Sequence, residues 1–131
     1  MRYKRPDRKN AISILEASVR DMKYTESLEV SEQSGPTIVR NTYECFRMIG
    51  DSLLVAKGIE SEDHITSINE LIKLKINTDR PISLLDNLRR LRHNINYYGY
   101  RPSLDEVKEV KAIAKCLFDA IKNEVFKKIK S

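Results

Sequence analysis

The chain has 131 residues, about the size of one domain, and 40% of them are hydrophobic at a mean hydropathy of −0.49, enough for a core but too polar for a membrane protein. Its 24 Lys and Arg outnumber 19 Asp and Glu, and the resulting net charge of +5 favours acidic partners such as nucleic acid without establishing one. Cys45 and Cys116 stand far apart with no second ligand pair beside either, which argues against a zinc spacing or a disulfide framework and fits a reducing cytoplasm.

The basic start, Met1 to Pro6, runs into alternating polar and apolar residues instead of the uninterrupted apolar stretch of a signal peptide. No export is expected. No segment approaches the roughly 18 apolar residues needed to cross a bilayer, so no membrane association is expected either. After Pro6, Ile12, Leu15, Val19 and Met22 recur at helical spacing. Residues 24–34 follow with few apolar anchors and read as a helix end and a loop.

Gly35-Pro36 opens a second segment over about 37–57, with Ile38, Cys45, Ile49, Leu53 and Ala56 on one side and Gly58 closing it. Within it Arg40, Glu44, Arg47 and Asp51 alternate in sign at steps of four, three and four, the spacing of paired neighbours on a helix. A third, shorter helix carries Ile65, Ile68 and Ile72, its start marked by Ser61 and the two acids after it. His64 beside Glu62 and Asp63 has no Cys or second His at ligand spacing, so no metal site is expected there. Pro81 precedes a fourth helix with a start signal at Ser83 and Asp86. Ser103 and Glu106 form a capping box for a fifth, whose apolar face is Val107, Val110, Ala114, Leu117, Ile121 and Val125. Its acids at the start and Lys127, Lys128 and Lys130 at the end suit the helix dipole. These segments predict a single all-α domain over 1–131, an antiparallel four-helix bundle with the third helix as an additional short piece.

The fourth segment is chemically unlike the rest. On a wheel of about 100° per residue, Leu84, Leu88, Leu91, Ile95 and Tyr98 make an apolar stripe expected to face the core. On the far side lie Arg89, His93 and Asn96, flanked by Arg92 on one edge and by Arg90 and Tyr97 on the other. A solvated polar face accounts for the arginines. It accounts less well for a histidine, asparagines and two adjacent tyrosines gathered just before Gly99, in a chain with 2 His and 6 Tyr in all. Arginine offers forked contacts to phosphate oxygens, and Asn96 and His93 add hydrogen bonds, so this face is the candidate site for RNA or a nucleotide. Tyr98 and Tyr100 read as packing residues in preference to base-stacking platforms.

Leu91-Arg92-His93-Asn94-Ile95-Asn96-Tyr97-Tyr98-Gly99 resembles the late fourth helix of the HEPN superfamily, the "higher eukaryotes and prokaryotes nucleotide-binding" helical domains. The usual signature there is Arg, a polar residue that is often Asn, and His a few positions on; members of similar length continue into Tyr-Tyr-Gly. The order of helices agrees from about residue 10 to 127, while the distinctive residues are confined to this helix end. The resemblance implies a homodimer that brings two Arg and His sets into one cleft, and in nuclease members it implies RNA cleavage without metal or cofactor. Arg92, His93 and Tyr97 would be the catalytic positions, Arg89, Arg92 and Asn96 the RNA- or nucleotide-binding ones, with Glu44 and Arg47 supporting from the second helix. It also implies a toxin-like protein checked by a cognate nucleotidyltransferase. This chain departs from the pattern twice: His93 stands where Asn is usual, and Tyr97 where the catalytic His is expected. A tyrosine with a pKa of about 10 is a poor base at neutral pH, and His93 lies one turn from the expected place. The expectation is therefore an RNA- or nucleotide-binding domain, a degenerate or atypical ribonuclease; the alternative is a non-enzymatic dimeric or hetero-oligomeric interaction protein.

Overall fold

The computed structural model describes residues 2–60 and 63–131. Five helices pack together: α1 (Arg8–Glu26), α2 (Gly35–Lys57), α3 (His64–Ile72), α4 (Leu84–Tyr98) and α5 (Leu104–Lys130). The predicted joints mark their ends. Gly58 and Gly99 close α2 and α4 in left-handed conformation, and Ser103 and Glu106 form the reciprocal cap that opens α5. Ser83, by contrast, makes no side-chain cap; the first turn of α4 is tightened by backbone bonds, Leu85 N–H to the Ile82 carbonyl and Asp86 N–H to that of Ser83. The start signal at Ser61 and Glu62 lies outside the described residues, and α3 is capped by Asp63, whose carboxylate accepts from the Thr66 N–H at 2.9 Å.

Helix α2 packs against all four other helices. It is correspondingly buried on most sides, with Ile38, Val39, Tyr43, Phe46, Ile49 and Leu54 each almost wholly removed from water. Burying an aliphatic or aromatic side chain of this size contributes about 1.5–3 kcal/mol, so α2 is the spine on which the others are arranged. The six apolar positions read for α5 are all buried. In α1, Leu15 and Met22 reach the core and Ile12 and Val19 pack at its margin. In α3 the buried apolar pair is Ile68 and Leu71, while Ile65 is 46% exposed.

Gly50 explains how closely α3 approaches. A Cβ built there would lie 2.3 Å from the Ser67 carbonyl oxygen, so the two backbones are in direct contact. The chain start is laid against the far end of α2: Arg2–Tyr3 (β1) pairs antiparallel with Ile59–Glu60 (β2), and the Lys4 N–H donates to the Gly58 carbonyl at 2.6 Å. Residues 27–34 are held at both ends. Ser34 Oγ donates to the Glu29 carbonyl at 2.5 Å, and Lys111 Nζ on α5 donates to the Glu26 carbonyl at 3.3 Å and also to the Leu28 carbonyl. No helix among the described residues is long and apolar enough to cross a membrane.

Candidate functional site

The core-facing side of α4 is not the stripe the wheel selects. Leu85, Leu88 and Ile95 are its buried residues, Leu84 and Leu91 are partly buried, and Tyr98 is 76% exposed. Leu85 rotates the buried sector. At about 100° per residue Leu85, Leu88, Arg92 and Ile95 fall within one arc about 80° wide, which carries Arg92 inward and leaves Tyr98 on the rim. Past Ile95 the residues of the last turn are all exposed.

Arg92 is accordingly half-buried, with its guanidinium carbon 5.1 Å from the centroid of the Tyr43 ring on α2. A cation over an aromatic face in such a setting contributes about 1 kcal/mol and fixes where the fork points. The Tyr43 hydroxyl is buried and has no hydrogen-bond partner among the described residues. Burial raises its pKa, and the Arg92, Arg47 and Arg89 guanidiniums oppose that rise. Three cations and the Glu44 carboxylate thus act on one buried phenol at the α2/α4 seam, Arg92 lying against its ring.

The other site residues divide between this seam and open solvent. Asn96 sits on the Arg92 flank, and its side-chain oxygen accepts from Arg40 Nε at 2.7 Å, a bond between helices 56 residues apart in sequence. Arg89 is bonded to Asp86 at 3.0 Å, and Arg90 shares the same carboxylate at 2.9 Å. Glu44 and Arg47 lie one turn along α2 from each other. Arg47 takes both Glu44 and Asp51 as partners, and Asp51 in turn accepts from Ser67 Oγ on α3. The Glu44 hydrogen bond leads in raising the Arg47 pKa further above its already high value. This chain ties α2 to α3, and Arg47 has most of its donors committed to it.

His93 and Tyr97 face away from α2. Both are exposed, and their rings lie 4.6 Å apart at 38°, with the Tyr98 ring 5.8 Å from His93 and edge-on at 68°. Arg92 and His93, adjacent in sequence, therefore point about 100° apart around the helix. One chain does not bring its guanidinium and imidazole to a single point. Tyr100 is tied down instead by its hydroxyl, which donates to Glu106 at 2.5 Å.

Two residues of the seam go unrecognised in the sequence, Arg40 and Tyr43. Arg40 reads as one rung of a charge ladder, and nothing local reveals that it reaches α4. Tyr43 is a polar-tipped residue among the apolar positions of α2, which is the one signal that could have drawn notice. The cysteines take no part: Cys45 is buried, its thiol pushed up to about 12 by that burial and by the Asp21 and Glu44 carboxylates. Among the described residues no cluster of three or more His, Cys, Asp and Glu could hold a metal ion. No family model matches the chain, and no curated protein or solved structure matches it significantly.

Proposed function

We propose that this protein is an RNA- or nucleotide-binding domain of HEPN-like type, an antiparallel arrangement of four long helices with α3 as the short extra piece, working as a homodimer in the cytoplasm. The observation that carries the reading is the seam between α2 and α4. Arg92 is held over Tyr43, Arg89 is half-buried beside it, and Arg40 is joined to Asn96, so cations and an amide are fixed along one line before any ligand arrives. Fixing the forks in advance reduces the side-chain freedom that phosphate binding must remove.

Binding is the function this geometry supports in preference to cleavage. In-line attack on a phosphodiester needs a proton acceptor, a proton donor and a cation at one phosphate. Here Arg92 turns inward and His93 outward, so a single chain supplies the cation and the imidazole to different places; only a second copy could complete such a set. The nucleotidyltransferase-type partner belongs to the same reading and rests on the resemblance alone.

Titrating the full chain with a short RNA by calorimetry over a series of salt concentrations tests the proposal. The affinity is expected to fall as salt rises, and the Arg89→Ala, Arg92→Ala double variant is expected to weaken binding by about tenfold or more and flatten the salt slope. An affinity that the double variant leaves unchanged overturns the reading. If the variant instead shifts the protein's mass in light scattering without touching RNA, the face is a protein interface.

A further inference from the structure

The last turn of α4 carries three rings that the seam does not use. His93 lies between Tyr97 and Tyr98, 4.6 Å from one ring centroid and 5.8 Å from the other, and the two tyrosines are 68% and 76% exposed. Neither phenol makes a hydrogen bond among the described residues. Two large aromatic side chains kept in water, with His93 as their ring contact among the described residues, leave much of their apolar faces open. They also stand close to the cations: Arg89 and Arg90 precede Tyr97 by seven to eight residues, about 10–12 Å along a helix that rises 1.5 Å per residue.

We infer that His93, Tyr97 and Tyr98 form a stacking subsite for unpaired bases, so that the nucleic acid engaged by the α2/α4 seam is single-stranded. This rests on the RNA-binding reading above and narrows it. A strand whose phosphates lie along Arg89 and Arg90, on the ring side of α4, would present its next bases to the ring cluster, since every base has a face that an aromatic ring can cover. Duplex RNA hides those faces in its own stack and offers grooves and phosphates instead. The cluster is an outward-facing helix end, not a slot, so it suits a base laid upon it. His93 braces both tyrosines at once, which limits the rotation that a lone exposed ring would retain.

Filter binding of the 131-residue chain to three probes of equal length tests this: oligoadenylate, the same backbone with abasic riboses throughout, and an RNA duplex. Oligoadenylate is expected to bind about tenfold tighter than the abasic strand, consistent with the contribution of one stacked base. The Tyr97→Ala, Tyr98→Ala double variant should remove that difference and leave abasic binding as it was, while Tyr97→Phe with Tyr98→Phe should keep it. Both positions are exposed, and an unchanged thermal melt checks that the variants fold. If adenylate and abasic strands bind alike, and both weaken on Arg89→Ala with Arg92→Ala, the stacking subsite is wrong and the RNA reading stands. If the duplex binds best, or the alanine pair changes nothing, the inference fails in the same way. If no probe binds the wild-type protein, both fail. If the alanine pair dissociates an oligomer and leaves every RNA affinity alone, the rings are a protein contact and the inference is overturned.

Discussion

The Tyr43 hydroxyl is an expense the fold carries at the seam. It is buried, without a hydrogen-bond partner among the described residues, and its ring lies against the Arg92 guanidinium. A buried hydroxyl without a partner costs about 1–3 kcal/mol of desolvation, whereas the ring beneath Arg92 is favourable. Tyr43→Phe keeps the ring and removes the unsatisfied oxygen, so its stability to denaturant should equal the parent's or exceed it by about 1 kcal/mol. A loss of that size would mean that the hydroxyl is bonded in solution. Asp86 gives a second test, in pH. The Arg89 hydrogen bond holds its carboxyl below the ordinary 3.8; partial burial opposes this and Arg90 adds to it. A carboxyl depressed in the folded state contributes stability above its unfolded pKa and loses it as pH falls through the folded one. Acid titration of the parent should therefore show a decline below about pH 4, which Asp86→Asn makes shallower, while Glu70 and Glu106, also held below their ordinary values, keep the remainder. Little of this was legible beforehand. The types of residue at the site were plain in the sequence, but the inward turn of Arg92 was not, because it depends on Leu85 joining the buried sector.

Among the elements, α2 and α3 show how a tertiary contact reverses a local preference. In an exposed helix Gly→Ala gains about 1 kcal/mol. At Gly50 the new methyl would meet the Ser67 carbonyl at 2.3 Å, a backbone atom that cannot step aside. Gly50→Ala is expected to lower stability by about 1–3 kcal/mol, as overpacking does, and the denaturant midpoint reads it directly. The sequence displayed Gly50 as the one glycine inside a helical segment, without showing why. The helix ends were easier to foresee. Gly58, Gly99 and the Ser103 cap act through their own backbone or the next turn, so their roles are written locally. Ser83 carries the same start signal and makes no such bond, since its αR backbone places the residue within the turn it was expected to cap.

At the scale of the molecule, the five-helix, all-α architecture was legible because periodicity and Pro/Gly punctuation agree along the whole chain. The order of packing was not: that α2 touches every other helix follows from how many of its sides are apolar, which a one-face reading underestimates. Residues 27–34 illustrate the difference. They look unanchored in sequence, yet Leu28 and Val30 pack at the core margin and Lys111 reaches over from α5. Lys111→Met removes that tie, and hydrogen exchange should then quicken across 27–34 while the amides of α2 and α5 keep their protection. Unchanged exchange in the loop would assign its order to Leu28 and Val30 alone.

The exposed rings at the tip of α4 also give the protein an optical reporter of its own. The chain has no tryptophan, so tyrosine emission is not drained by energy transfer to indole. Tyr97 and Tyr98 are open to water while Tyr43 is sealed at 1% exposure. A neutral collisional quencher should therefore extinguish the exposed phenols, Tyr3, Tyr24, Tyr97 and Tyr98 together, and leave a shielded fraction from Tyr43; the part of the quenched signal that the Tyr97→Phe, Tyr98→Phe variant loses belongs to the helix tip, whose occupancy it reports without any added label.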